Sequence, residues 1–271
     1  MRARQVPLLL WLPAAGAMAF VLLPLIGLLV RAPWPQLPAL LSSPAVLTAL
    51  RLSLVCSFGA LAVSLLLGVP LGWVLARVEF RGKALLRTAV LLPLVLPPVV
   101  GGVALLLAFG RSGVLGPLLQ RFGVQLSFST AGAVLACAFV ALPFLTLTVE
   151  GAIAGLDGRQ EEVAATLGST PLRVFRTVTL PLVAPGVAAG AALAWARALG
   201  EFGATITFAG NLPGETQTLP LAVYLLLQND PEAAIAVSLL LMAVSLTVLA
   251  ALRGRWLSPL RRATRTRAEG A

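Results

Sequence analysis

An all-α polytopic membrane protein with about six transmembrane helices is the fold class this sequence predicts, on three observations. Of its 271 residues 59% are hydrophobic and 11% charged, against about 25% charged in a typical soluble domain. Too little polar surface is available to cover a water-soluble globule. The apolar residues gather into six runs, each reaching or passing the ~20 residues a helix needs to cross a bilayer. Leu and Ala dominate those runs, as helices prefer. Lipid offers no partner to an open strand edge, so the spans are helices.

The first run, Val6–Val30, follows Arg2 and Arg4 and contains Ala17-Met18-Ala19. That beginning also fits a signal peptide with its cleavage site. The run continues past a signal core, however, and is read as a retained span. The second run is Val46–Ala76. The third, Leu85–Gly110, is interrupted by "LLPLVLPPVVGG" at residues 91–102. Pro93, Pro97 and Pro98 remove backbone donors and obstruct a straight helix. An ordinary proline kink fits, and so does a broken helix lining a pathway, since broken helices at membrane depth are tolerated where they line a cavity. Three prolines in six residues point to the second reading and make Pro97, Pro98 and Val99 candidate pathway residues.

The fourth run is Thr130–Gly151 and the sixth Ala233–Leu252. The fifth, Leu182–Phe208, contains "WARALGEFGAT", with Arg197 and Glu201 four residues apart. On a helix these share a face and can pair. Ionisable residues within a span usually face protein or water. The two therefore serve either as a brace locking the span to a neighbour or as a lining of the outer gate of a path. Gly200 and Gly203 would permit close helix approach, and Thr205 and Thr207 add polar groups to the same stretch. Cys56 and Cys137 lie inside apolar runs and read as packing residues.

The net charge is +10. Nucleic-acid binding is one reading of such an excess, but the cations lie between and beyond the apolar runs. With the N-terminus inside, 15 of the 20 Lys and Arg residues fall on the cytoplasmic side. Both termini are then cytoplasmic by the positive-inside rule. The basic tail, 253–271, reads as an anchor against anionic lipid. There is no histidine and no metal-ligand spacing, so no metal or catalytic residue is assigned. The only Gly-Lys pair, Gly82-Lys83, is followed by Ala84, so the phosphate-binding P-loop is absent and the chain does not hydrolyse ATP itself.

On this topology residues 152–181 form the longest cytoplasmic loop, and within it "EEVAATLGSTPLRVFRTVTLP" (161–181) is unusually polar. Asp157 can cap a helix whose first turn holds Glu161 and Glu162. Gly168 suits a left-handed stop. Thr170 and Pro171 suit the cap and first position of a second helix, with Leu172, Phe175 and Val178 at three-residue spacing, before Leu180-Pro181 leads into the next span. A solvated loop needs neither apolar residues nor two marked helix boundaries; a docking element for a partner does.

Glu162-Val163-Ala164, Gly168, Val178, Leu180 and Pro181 match, at the same spacing, the E-A-A…G…I-x-L-P loop of the inner-membrane permeases of ATP-binding-cassette importers. Val163 and Val178 replace an Ala and an Ile with compact apolar side chains. The segment at 91–102 and "ALGEFGATITFAGNLPGETQTLPLAVY" (198–224) resemble the permease subunits of molybdate importers, and the similarity covers roughly residues 45–250. The resemblance implies a single permease domain over 1–271, of type I importer fold, in a prokaryotic inner membrane. Its expected partners are a second copy of itself, two ATPase subunits that use ATP and Mg, and an external oxyanion-binding protein. No cofactor is bound by this chain. The ATPase-coupling residues would be Glu161, Glu162, Ala164, Gly168, Leu180 and Pro181. The pathway or gate would draw on Pro97, Pro98, Val99, Arg197, Glu201, Gly203, Thr205 and Thr207.

Molybdate leads, with tungstate inseparable from it. The sulfate permeases share the proline segment and a G-E-aromatic-G motif but usually differ after it, and sulfate is the alternative. An ion-driven secondary transporter would need an internal repeat and mid-membrane ionisable residues; no repeat is visible and one in-span pair is. A membrane enzyme would need a nucleophile with a base or a carboxylate cluster, and neither is found.

Overall fold

The structure, a computed structural model, describes residues 8–256. Arg2, Arg4 and the tail from 257 onward lie outside the described residues. In chain order the helices are α1 (Leu8–Val30), α2 (Leu37–Leu41), α3 (Pro44–Arg77), α4 (Lys83–Val95), α5 (Pro98–Phe109), α6 (Gly116–Arg121) and α7 (Thr130–Ala154). They continue as α8 (Arg159–Thr166), α9 (Pro171–Val174), α10 (Leu180–Leu199), α11 (Gly203–Phe208), α12 (Leu219–Asn229) and α13 (Pro231–Trp256), with a π-helical turn, Phe175–Thr179, between α9 and α10. No strand occurs among the described residues. Five helical stretches are long and apolar enough to cross a membrane, and six if the bent pair α4–α5 counts as one crossing. The short α2, α6 and α12 carry no signal of span length and were not expected.

The core is the packing of α3 and α10 on α7. Lipid tails are as apolar as Leu, so helices in a bilayer associate through close van der Waals contact rather than through the hydrophobic effect. The sequence supplies that contact with small residues. Ala60, Ser64, Gly68 and Gly72 recur every four residues along α3 and face α7. On α7, Ala133, Cys137, Ala141, Leu145, Val149 and Ile153 form the matching stripe, none more than 1% exposed. α3 and α7 run in the same direction, since Gly59 lies on Val134 and Gly72 on Thr146 and Val149. α10 runs against α7, with Gly186 on Ala152 and Gly190 on Thr148. By contrast α1, from Trp11 on, is exposed along nearly its whole length.

Two spans depart from the simple reading. The third does not kink mildly: its axis turns by 119° between α4 and α5 at Leu96–Pro97, so Pro97 and Pro98 end one helix and begin another. The fifth does not continue to Phe208. α10 stops at Leu199, Glu201 and Phe202 are non-helical, and α11 starts afresh at Gly203. At its other end the fifth span begins earlier than expected, because α9, the π turn and α10 form one continuous helix from Pro171 to Leu199. The helix therefore runs through Leu180-Pro181 rather than starting after it. Pro181 cannot donate a hydrogen bond and its ring excludes the carbonyl four residues back. The helix widens there, with the Leu180 N–H donating to the Phe175 carbonyl, which is how a π-bulge absorbs such a residue.

Candidate functional site

The loop after α7 folds as two helices around a sharp turn. Asp157 Oδ1 accepts the Arg159 N–H at 3.2 Å, one residue before the cap at Gly158. α8 ends in a Schellman turn. The Ser169 N–H donates to the Ala164 carbonyl at 3.1 Å, and the Gly168 N–H to that of Ala165 at 2.9 Å. Gly168 sits at φ +81°, a conformation that penalises any residue with a Cβ. Thr170 caps α9 through its extended backbone, with Pro171 at the first position, as expected, although its side chain makes no capping bond.

The two adjacent carboxylates of this loop point to different places. Glu162 is exposed. Glu161 turns inward: its Oε2 lies 2.9 Å from Arg77 Nε, at the end of α3, and its Oε1 accepts a hydrogen bond from Thr179 Oγ1 at 2.5 Å. The outer surface also presents Val163, Leu167 and Leu172, which are 58%, 81% and 60% exposed. The expected Leu172–Phe175–Val178 stripe is not one face. Phe175 packs edge-on against Trp73, with ring centroids 6.1 Å apart, and Val174, Thr179 and Val183 are the buried positions. The extra residue in the π turn shifts the register that three-residue spacing assumes.

At the far end of α10, Arg197 and Glu201 do pair, Nη1 to Oε2 at 2.6 Å. Glu201 is 2% exposed and holds this position from the break after α10 rather than from a helical face. Its second oxygen accepts the Ala204 N–H at 2.8 Å, so one carboxylate both neutralises Arg197 and anchors the start of α11. α11 lies along α5. A Cβ at Gly203 would come within 2.8 Å of Pro98 Cβ, and one at Gly102 within 2.6 Å of Thr207 Cβ. Thr207 Oγ1 donates back to the Gly203 carbonyl at 2.8 Å. Gly200 packs on no neighbouring helix; it is exposed and ends α10.

Of the expected pathway residues, Pro97, Pro98 and Val99 are exposed at the break and Arg197 is 29% exposed at its side chain. Thr205 does not share that exposure. It is fully buried, 3.7 Å from the Cys137 sulfur, because the break at 201–202 turns it toward α7.

Sequence reasoning missed the long-range contacts, among them three that tie polar side chains between helices. Glu150, 3% exposed near the end of α7, pairs with Arg87 of α4, with Nε to Oε2 at 3.4 Å. It is a second ionised pair at a span, where one was expected. Arg77 pairs with Glu161 as above. Ser53 Oγ of α3 accepts the Leu219 N–H of α12 at 2.7 Å. A lone carboxylate at the edge of an apolar run was the only signal for Glu150; its partner lies 63 residues away, beyond any periodicity.

Residues 68–263 match the family described as "Binding-protein-dependent transport system inner membrane component". The chain is 49% identical over 245 residues to the "Molybdenum transport system permease protein ModB" of Mycobacterium tuberculosis, covering 90% of this chain and 93% of that protein. To the protein of the same name from Escherichia coli it is 45% identical over 215 residues, covering 79% and 94%. Identity to the "Sulfate transport system permease protein CysT" of Salmonella typhimurium is lower, 36% over 233 residues, with 84% of each chain covered. Among solved structures the fold matches a chain of a bacterial ABC transporter involved in the import of the acidic polysaccharide alginate, with TM-score 0.68 and 20% identity over 91% of this chain and 95% of that one. The importer-permease fold implied by the sequence motifs is thus the fold observed.

Proposed function

This chain belongs to the family of binding-protein-dependent transport system inner membrane components, and from that premise we propose that it is the transmembrane permease subunit of an ATP-driven molybdate importer, tungstate included. The observation that carries the reading is the loop at 159–181. It offers an exposed carboxylate, Glu162, and exposed Val163, Leu167 and Leu172 on a helix–turn–helix that buries none of them against its own bundle. Such an apolar patch on an otherwise charged loop is what a docking surface needs. The substrate rests on the relatives: identity is 45–49% to proteins named for molybdenum and 36% to one named for sulfate.

In this reading the whole chain acts as one permease domain. Two copies enclose the anion path and each loop docks in a separate ATPase subunit, which uses ATP and Mg; the permease binds no cofactor of its own and breaks no bond. An external binding protein delivers the oxyanion. The chain lies in the inner membrane with both termini cytoplasmic, an orientation supported by the Lys and Arg asymmetry. Glu162, Ala164 and Gly168 shape the docking loop, and Glu161, Leu180 and Pro181 connect it to the fifth span. Pro97, Pro98, Val99, Arg197, Glu201, Gly203 and Thr207 form the outer part of the path or brace it. Alternating access follows: ATPase closure moves the loops, and the loops reorient the spans.

The test is reconstitution of the permease with its ATPase and binding protein in liposomes, followed by uptake of labelled molybdate. Excess tungstate should abolish uptake, and a 100-fold excess of sulfate should leave most of it. Suppression by sulfate as strong as by tungstate would move the assignment to sulfate. ATP-independent, proton-driven uptake by the chain alone would move it to a secondary carrier.

A further inference from the structure

The adjacent carboxylates of the loop differ in their surroundings: Glu162 is exposed, while Glu161 is partly buried and makes contacts within the chain that no docking role requires. α8 has eight residues and buries none of them. A helix that short is not stable on its own in water, so its placement depends on what ties it down. Glu161 is the tie. One oxygen holds Arg77, the last residue of α3; the other holds Thr179, the last residue of the π turn, itself 1% exposed. Arg77 has no other acidic partner among the described residues; its Nε and Nη2 are both buried without a well-aligned hydrogen bond, so Glu161 meets it as a charge contact. A cleft of about 310 Å³ adjoins this link, lined by Trp73, Arg77, Glu161, Glu162, Phe175 and Thr179 among others.

We infer that Glu161 is a positioning residue that carries loop movement into the bundle: its carboxylate straps α8 to the end of the second span and to the π turn that opens the fifth. The inference rests on the importer reading above. It separates Glu161, which acts within the chain, from Glu162, which is exposed. A displacement of α8 passes through the Glu161 carboxylate to two spans at once. One of them, α3, lies along α7 through the small-residue stripe, so the movement reaches the core of the subunit rather than being lost in the loop.

The test uses the complete transporter in liposomes and reads anions transported per ATP hydrolysed, alongside ATPase co-purification. Glu161→Gln should keep the ATPase bound and hydrolysing within about twofold of wild type, while transport per ATP falls about tenfold. Arg77→Glu combined with Glu161→Arg rebuilds the pair in reverse and should recover most of that ratio. An unchanged ratio in Glu161→Gln, loss of the ATPase from that variant, or a charge swap that recovers nothing overturns the strap. Should Glu161→Gln fail to accumulate, Thr179→Val against Thr179→Ser carries the same test. The valine should lower the ratio and the serine preserve it, and equal ratios overturn the proposal. A wild-type chain that neither binds nor stimulates an ATPase overturns the importer reading instead, so the two failures are distinguishable.

Discussion

Glu201 divides its carboxylate between a cation and a backbone N–H, and that division sets what its loss would do. With Glu201→Gln, Arg197 loses its counter-charge in a site where the glutamate was 2% exposed. The guanidinium, 29% exposed at its side chain, keeps partial access to its surroundings. Removing one partner of a buried pair is the costly change, because it leaves a charge uncompensated; removing both is milder. Glu201→Gln and Arg197→Gln should each lower the thermal stability of the solubilised protein. The double variant should be less damaged than the sum, with a coupling of about 1–3 kcal/mol. If the pair is only a brace, the double variant regains transport with stability. If Arg197 also serves the anion, it regains stability alone. Strict additivity would show that the observed 2.6 Å contact does not persist in the membrane.

The two breaks, at Leu96–Pro97 in the third span and at Glu201–Phe202 in the fifth, sit side by side because glycines let α5 and α11 approach closely, Gly102 under Thr207 and Gly203 against Pro98. A Cβ at Gly102 would lie 2.9 Å from the Ala204 carbonyl oxygen and 2.6 Å from Thr207 Cβ, and neither a backbone oxygen nor a β-branched carbon swings aside. Gly102→Ala should therefore cost about 1–3 kcal/mol, read as a lowered melting temperature. A change at Gly82, where nothing lies within 4 Å, is no fair control, because its φ is +94°; Gly151, with nothing near it and no such strain, is. The same packing decides accessibility. Val99 opens α5 on an exposed surface while Thr205 is sealed on α7. A cysteine at Val99 should react with a small hydrophilic thiol reagent and one at Thr205 should not. Labelling at Thr205 alone would reverse the assignment of the path to the outer face of the break.

For the molecule as a whole, the lengths of the helices and the placement of cations set a sidedness that can be read from outside. The loop at 159–181 and the segment around α6 should lie on opposite faces of the membrane. The native cysteines, Cys56 and Cys137, are each 1% exposed, so an introduced cysteine reports against a quiet background. In intact cells an impermeant thiol reagent should label Gln120→Cys and leave Arg173→Cys unlabelled until the membrane is opened. The reverse pattern would invert the topology and place the docking loop where no cytoplasmic ATPase could reach it.

The sequence by itself determined what depends on neighbours along the chain. Bilayer thickness converts apolar run length into span number. Gly168 converts into a left-handed stop because only glycine accepts φ > 0 without strain, and Pro171 into a helix start because its missing N–H is one the first turn does not use. Arg197 and Glu201 were legible as a pair through their spacing of four. What the tertiary structure alone decided depends on distance through space or on competition between rules. Arg87 meets Glu150, and Arg77 and Thr179 meet Glu161, only after the helices are packed. A proline at 181 reads locally as a stop, but a π turn absorbs it and the helix runs on, so Phe175 and Val178 lose the face their spacing suggested. The burial of Thr205 was likewise invisible. A threonine looks polar in sequence, and the helix break that turns it against Cys137 is held by a glutamate whose partners are a side chain on one helix and the backbone of the next.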